Sequence, residues 1–530
     1  MSGLNVAWDS MVGIGQSGVI GGMVVYVADD PGTSSGMCEP DSRGFALMGD
    51  MVMLEPGNVQ ELYDMVKYGF DLSEEIKAPV FVRSVTNVAQ SHAAIDIEPR
   101  TMPDMSVPVV KKDINKYAKA GAAMCMAQHK DVIQALAKGA ELIRAKGLNA
   151  VKLAAKKGGL GIITAGSSKS YLEEGVELAK KYGAKIDEFS TLKAMTTVPY
   201  PTDELRQIIE HCDTLVVIEE LDPYMEREVY VQAQMIGRKV RIVGKLDGTL
   251  SRIGSYNALH VAKALCAAVG ATFPDEIFNA GIAEFNKAIV RPITTCAGCP
   301  HRGTYMAINS SLKKMKLNAQ EDVIVTGDIG CTILGMNPPF NTVWMEISMG
   351  ASIPCAHGFK CSGIEKPIIA TIGDSTFFHN GVPGLVNAIQ HDMDITVIIM
   401  DNGWTAMTGQ QINPNTADDQ QCSGWNRVDL VDVVKGMGIK TLHVVDPFDQ
   451  KETIAALDDC LSKKGLKVIV ARRECAIVTA RRGIKYNNMH IDADKCTNCK
   501  TCIRVTGCSA LIPGEKVVSI DPDACIGCTL

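Results

Sequence analysis

The chain has 530 residues, 46% hydrophobic and 21% charged, with a net charge of −7. These proportions suit a globular chain of roughly three or four domains, and the lack of any long basic block argues against a nucleic-acid partner. Apolar runs such as "DITVIIM" from Asp394 fall well short of the ~20 residues that a membrane span needs. No basic n-region opens the chain, so a secretory leader is not expected. Eighteen cysteines would suggest disulfides in a small secreted protein. At this length, with CxxC spacings and no leader, they suggest reduced thiols used as metal ligands, a cytoplasmic location and an anaerobic host.

In chain order, "GGMVVYVADDPGTSSG" predicts a buried strand over Met23 to Ala28 ending in a DDPG turn. "ELYDMVKYGFDLSEEIKAPVFVR" predicts an amphipathic helix and a strand from Val80 to Arg83. Pro99, Pro103 and Pro108 mark a linker, and a helical stretch is expected over about 112–147. A second α/β unit runs through "GLGIITAG", "DTLVVIEELDP" and "KVRIVGKLDG". A third follows another helical connection, with strands at "DVIVTGDIG", "KPIIATIGDS", "DITVIIMDN", "TLHVVD" and "KVIVARRE". Helices alternating with continuous apolar strands specify α/β domains with parallel sheets. Glu219 and Glu220 close a strand, where carboxylates cap or solvate, and no catalytic role is expected of them.

The third unit carries the clearest chemistry. One strand runs into Gly373-Asp374-Ser375, and the next delivers Asp401-Asn402. In a parallel sheet both ends open at the carboxyl edge, where ligands bind. Gly373 permits close backbone approach, and the helix after Ser375 points amide groups at an anion. Asp374 and the Asn402 amide oxygen are hard ligands suited to Mg²⁺, which keeps phosphate oxygens in its shell. The stretch reads as a metal–diphosphate anchor, against the plainer reading of an ordinary βα turn.

Two cysteine groups follow. Cys296, Cys299, Cys331 and Cys475 could supply four thiolates to a [4Fe–4S] cluster beside that anchor, or could simply shape the pocket. In the tail, Cys496, Cys499 and Cys502 fit C-x₂-C-x₂-C, followed by Cys508, Cys525 and Cys528. In two-cluster ferredoxins the fourth cysteine of one run ligates the other cluster, which would place Cys508 with Cys525 and Cys528. A zinc ribbon is the alternative. The basic stretch Arg472, Arg473, Arg481, Arg482 and Lys485 is a candidate docking patch for an acidic electron carrier, or an ordinary solvated surface.

The anchor resembles the thiamine diphosphate motif, and the chain as a whole resembles one family, the alpha (large) subunit of indolepyruvate ferredoxin oxidoreductase. The stretches that carry this are "GLNVAWDSM", "VADDPGTSSGMCEPDSR", "PVFVRSVT", "VIEELDP", "CAGCPHRG", "GDIGC", "MGASI", "IGDSTFFHNG", "DNGWTAMTG", "ARREC" and the cysteine tail. The resemblance implies a thiamine pyrimidine-binding domain over 1–98, a linker and helical segment over 99–154 and a transketolase-C-like α/β domain over 155–255. It further implies a helical connection over 256–290, a diphosphate- and Mg-binding domain over 291–485 and an incomplete ferredoxin-like domain over 486–530. It makes Asp374, Asn402 and the Trp404 carbonyl the Mg²⁺ ligands, with Gly373, Ser375, Gly330, Cys331 and His301 around the cofactor. Arg43 and Thr86 become candidates for the substrate carboxylate or coenzyme A. The tail implies two 4Fe–4S clusters, with Cys296, Cys299, Cys331 and Cys475 as a third, proximal site.

The implied reaction is the oxidative decarboxylation of an aryl pyruvate with coenzyme A, as in anaerobic aromatic amino acid catabolism. It gives the aryl-acetyl-CoA, CO₂ and reduced ferredoxin, and a smaller beta subunit is expected as partner. The alternatives are a related enzyme using a phenylglyoxylate-like or branched substrate, or an electron-transfer subunit that has lost catalysis. Ser375 stands for the third glycine of the motif, Asp401 for the first asparagine, Gln410-Gln411 for the usual GHQ or GGQ, and Ser509 for the proline after the fourth cysteine. The activating glutamate of the family is expected upstream of Met1. The chain therefore reads as a fragment lacking both ends, and alone it is expected to turn over no aryl pyruvate.

Overall fold

Apolar runs bounded by glycine and polar turns become short buried strands, and the computed structural model gathers them into mostly parallel sheets. It describes residues 2–34, 36–99, 111–285, 287, 293–487 and 489–530. Pro103 and Pro108 of the expected linker lie outside the described residues. The chain divides into two compact units, Met1–Ala288 and Ile289–Leu530. Among the described residues no helix is long and apolar enough to cross a membrane.

The first unit carries β1 (Val24–Asp29), β2 (Met53–Leu54), β3 (Val80–Val85), β4 (Ala150–Lys152) and β5 (Leu160–Ala165). After these come β6 (Phe189–Ala194), β7 (Thr196–Val198), β8 (Thr214–Ile218) and β9 (Arg241–Val243). They form two sheets, ordered β1-β3-β2-β7 and β4-β6-β5-β8-β9. Pairing is parallel except at two edges, where β7 runs antiparallel to β2 and β4 antiparallel to β6. Those edges were not expected. Strands this short have too few residues to show a period, and β7 draws residues 196–198 out of the expected 155–255 domain into the N-terminal sheet.

The helices of this unit follow simple rules. Val59–Ile76 starts where Asn58 Oδ1 accepts the Glu61 amide at 2.9 Å, an N-cap. The helical stretch expected over 112–147 is Ile114–Tyr117 and Ala122–Lys146. Ala258–Val269, expected as a connection, packs on Leu172–Lys181, and only glycine fits where they meet. A Cβ at Gly175 would lie 2.4 Å from Val261 Cγ1. Ser2–Ser17 was not expected as a helix; it buries Leu4 and Met11 and sets Trp8 edge-on to Phe45 at 4.8 Å.

The second unit holds β10 (Ile324–Thr326), β11 (Ile368–Gly373), β12 (Thr396–Asp401), β13 (Thr441–Val445) and β14 (Lys467–Arg472). Their order is β10-β11-β12-β14-β13, with every pair parallel. Its two faces are covered by separate apolar clusters, one around Ile372, Phe377 and Ile399, the other around Tyr305, Ile398 and Ile469. Each fully buried side chain of that kind contributes about 1.5–3 kcal/mol. Beyond this sheet, β15 (Leu511–Ile512) and β16 (Ser519–Ile520) pair antiparallel between the two cysteine runs of the tail.

Candidate active site

Register brings the anchor together. Gly373 of β11 is opposite Met400 of β12, so the next residues, Asp374 and Asp401, meet at the carboxyl edge. On the other side Asp401 is opposite Arg472 of β14. Arg472 Nε donates to Asp401 Oδ2 at 2.6 Å, and Asn415 Nδ2 donates to Asp401 Oδ1 at 2.7 Å. Asp401, the departure from the family's asparagine, thus has its charge matched. Asp374 has not: its side-chain partner is the neutral Asn413 amide at 3.1 Å, although it is 2% exposed. Burial and the Asp401 carboxylate push its pKa upward.

An uncompensated buried carboxylate costs several kcal/mol, and a divalent cation would relieve it. Asn402 lies beside it, its Oδ1 accepting the Trp404 amide at 3.0 Å, with an oxygen lone pair to spare. His301 Nε2 faces the Asn402 amide nitrogen at 3.4 Å. Burial lowers the His301 pKa to about 4, so the ring is neutral and can accept from that amide. A cleft of about 120 Å³ is lined by His301, Gly330, Cys331, Asp374, Asn402 and Trp404. A Cβ at Gly373 would meet only Thr332 Cγ2, at 3.9 Å, so the protein itself leaves room there for a ligand. Ser375 and Thr405 join hydroxyls at 2.7 Å on the same wall. After Thr376 the chain makes a π-helical turn, Phe377–Gly381, a feature common at functional sites. Oxygen donors, a missing counter-charge and a glycine-lined wall fit a magnesium-bound diphosphate.

Four thiols lie beside this cleft. Cys331 lines it, and the Cys475 amide donates to the Asn402 carbonyl at 3.1 Å. Burial pushes the Cys331 thiol up to about 12, reinforced by Cys475, Cys296 and Asp374. The Cys299 thiol is pushed up to about 12 by burial, Cys331 and Cys296. Neighbouring thiols, from exposed Cys296 to buried Cys475, are a donor set that a cationic iron–sulfur core would relieve. Among the described residues no three His, Cys, Asp or Glu side chains converge on a single ion. A cluster holds its thiolates farther apart than one ion does.

In the tail, burial raises the Cys528 thiol, with Cys508 and Cys525 close enough to add to it. Cys499 is exposed and held down at about 7 by hydrogen bonds around Thr501 and Thr497.

Other candidates sit elsewhere. Arg43 is 1% exposed in the first unit and its donors are taken. They go to Asp41 at 2.9 and 2.6 Å, Glu219 at 2.5 Å and the carbonyls of Glu220 and Asp222 at 2.7 and 2.8 Å. Every nitrogen of the guanidinium is engaged within the protein, which argues against its meeting a substrate carboxylate. Thr86 Oγ1 bonds Asp30 Oδ1 at 2.5 Å. Glu219 does cap, accepting the amides of Met225 and Glu226 at 3.0 and 2.9 Å, but it is buried rather than solvated.

The basic stretch is partly engaged within the protein, while Arg481, Arg482 and Lys485 stay exposed. Arg472 serves Asp401, Arg473 pairs with Asp446 at 3.2 Å, and Arg481 bonds Gln410 at 2.7 Å. Arg482 pairs with Glu474 at 3.0 Å and Lys485 bonds the Pro522 carbonyl at 2.9 Å. Asn413 and Asn415 were missed; their only sequence signal is the "NPNT" turn. Because Asn413 orients Asp374, Asn413→Ala is expected to weaken Mg²⁺-dependent diphosphate binding by about 10–100-fold, read by calorimetric titration.

Comparison with known proteins places this cleft in a family. Residues 328–471 match the thiamine pyrophosphate enzyme C-terminal TPP-binding domain. The indolepyruvate oxidoreductase subunit IorA of Methanothermobacter thermautotrophicus is 31% identical over 528 residues, covering 100% of this chain and 83% of that protein. That of Pyrococcus abyssi is 34% identical over 555 residues, covering 99% and 83%. That of Archaeoglobus fulgidus is 31% identical over 536 residues, covering 100% and 82%. The likeness runs through both units and the cysteine tail, and the thiamine match falls on the strands that build the cleft: the chain belongs to the indolepyruvate oxidoreductase subunit IorA family of thiamine-diphosphate-dependent 2-oxoacid oxidoreductases.

Proposed function

We propose that the chain is the thiamine-diphosphate-bearing alpha subunit of a cytoplasmic enzyme that oxidatively decarboxylates aryl pyruvates of the indolepyruvate type. One 2-oxoacid and one coenzyme A give one aryl-acetyl-CoA and one CO₂, while two electrons pass singly through 4Fe–4S clusters to two oxidised ferredoxins and a proton is released. A beta subunit is the expected partner. The observation that carries this reading is the adjacency of the Asp374–Asn402–Trp404 anchor to Cys331 and Cys475. Thiamine diphosphate supplies an electron sink for the carbon left by decarboxylation. The residues do the rest: Asp374, Asn402 and the Trp404 carbonyl would hold Mg²⁺, and neutral His301 steadies Asn402. Ser375 and the first turn after it would hold the diphosphate. Cys296, Cys299, Cys331 and Cys475 would hold the one-electron carrier nearest the cleft, and the tail cysteines the exit. A simple decarboxylase would need no such carriers.

The test is anaerobic purification with the beta subunit, analysis for iron, acid-labile sulfide, zinc and thiamine diphosphate, and assay with indolepyruvate. Coenzyme A-dependent reduction of ferredoxin or viologen is expected. Zinc without sulfide, or aldehyde release with no viologen reduction, would overturn the proposal.

A further inference from the structure

Arg302 sits in the first turn of the helix Pro300–Lys314, 1% exposed, and does not line the cleft. Its side chain instead joins the two cysteine regions of the second unit. One terminal nitrogen donates to the carbonyls of Thr295 at 2.5 Å and Cys296 at 3.0 Å, which open the CxxC loop. The other donates to the carbonyl of Thr506 in the tail. Thr506 Oγ1 in turn donates to the Cys502 carbonyl at 2.7 Å and accepts the Cys508 amide at 3.1 Å, so this one residue links Cys502 to Cys508.

The loops also pack directly. Gly298, between Cys296 and Cys299, has φ +68, and a Cβ there would lie 2.3 Å from Ile526, between Cys525 and Cys528. The Arg302 charge reaches Cys299 on one side and Cys528 on the other, opposing the rise that burial imposes on both thiols. Arg302 Nε, although buried, has no hydrogen-bond partner among the described residues. A buried guanidinium N–H without an acceptor is destabilising, and cluster sulfur is an acceptor this neighbourhood can supply.

We propose that Arg302 is a positioning residue for electron transfer, locking the Cys296–Cys299 loop against the tail and placing one fixed cation between the proximal cluster and the cluster at Cys508, Cys525 and Cys528. The proposal rests on the iron–sulfur reading given above. Reducing a cluster adds negative charge, which a permanent cation in a low-dielectric setting stabilises, so the guanidinium raises both potentials together and favours electron entry into the pair.

The experiment uses the full chain with its partner, purified anaerobically, as wild type, Arg302→Lys and Arg302→Gln. Iron and sulfide are counted, and the clusters are titrated by potentiometry with electron paramagnetic resonance. Arg302→Gln is expected to shift the midpoints of two clusters downward together and slow ferredoxin reduction at least tenfold, while Arg302→Lys restores most of the shift. Loss of iron in the Gln variant but not the Lys variant also supports the assignment. Full iron at wild-type potentials in the Gln variant, or equal iron loss in both variants, overturns it. A wild-type chain without iron and sulfide would instead overturn the functional reading beneath it.

Discussion

Asp374→Asn is expected to stabilise the cofactor-free second unit while abolishing Mg²⁺-dependent binding of thiamine diphosphate. The two effects come from one fact. Asp374 and Asp401 are brought side by side by strand register, and Arg472 and Asn415 serve Asp401 alone. The Asp374 carboxylate is left buried with amide partners and a raised pKa, caused first by burial and then by Asp401. The sign follows from proton linkage. Between the ordinary carboxylate value of about 4 and the raised one, the folded state binds more protons than the unfolded, so stability falls as pH rises through that window. Asparagine removes that slope and keeps a hydrogen-bonding group of the same size.

A gain of about 1–2 kcal/mol at pH 8, or about 2–8 °C in the transition of a unit this size, is the expected result. Scanning fluorimetry from pH 5 to pH 8 with and without Mg²⁺ and thiamine diphosphate measures both effects. Wild type should be rescued by the ligands most strongly at the alkaline end, and the variant should ignore them. A variant that still binds the cofactor with magnesium dependence would show that Asp374 is not the anchor.

The sequence was most readable where local pattern and burial agree. β11, β12 and β14 are buried on both faces, so they appear as unbroken apolar runs, and the chemistry sits at the residue where each run ends. What escaped depends on partners distant in sequence. "NPNT" looks like any turn until the fold sets Asn413 against Asp374 and Asn415 against Asp401. Arg302 is one basic residue after a CxxC, and its role appears only when Thr506 arrives beneath it. Arg43, a candidate for the substrate carboxylate or coenzyme A on the resemblance, is instead a buried structural cation. Its partner Glu219 lies 176 positions away, and a buried ion pair leaves no local trace in the chain.

That pairing makes Arg43→Met the substitution with the largest expected loss of stability. Arg43 and Arg83 stand among Asp29, Asp41, Glu55 and Glu219, all buried. Burial alone would raise the Asp41 carboxyl, but Arg43 and then Arg83 overcome it and hold it well below the usual carboxylate range. A depressed carboxyl contributes stability above its unfolded pKa of about 4, and that contribution is lost as pH falls below it. Removing Arg43 leaves Asp41 and Glu219 charged, buried and short of a partner, a loss of about 3–5 kcal/mol. Met fills the volume, so the change measured is charge rather than a cavity. Urea unfolding of the first unit at pH 7 should show the full loss, and the difference from wild type should shrink toward pH 4 as Asp41 takes up its proton in the variant. Arg43→Lys separates this from a substrate role. With the guanidinium spent on Asp41, Glu219 and two carbonyls, the lysine variant should lose stability yet keep its KM for the 2-oxoacid below its unfolding transition. A KM raised a hundredfold or more in a variant of wild-type stability would instead make Arg43 a contact of the substrate carboxylate, and the geometry at Glu219 argues for the first result.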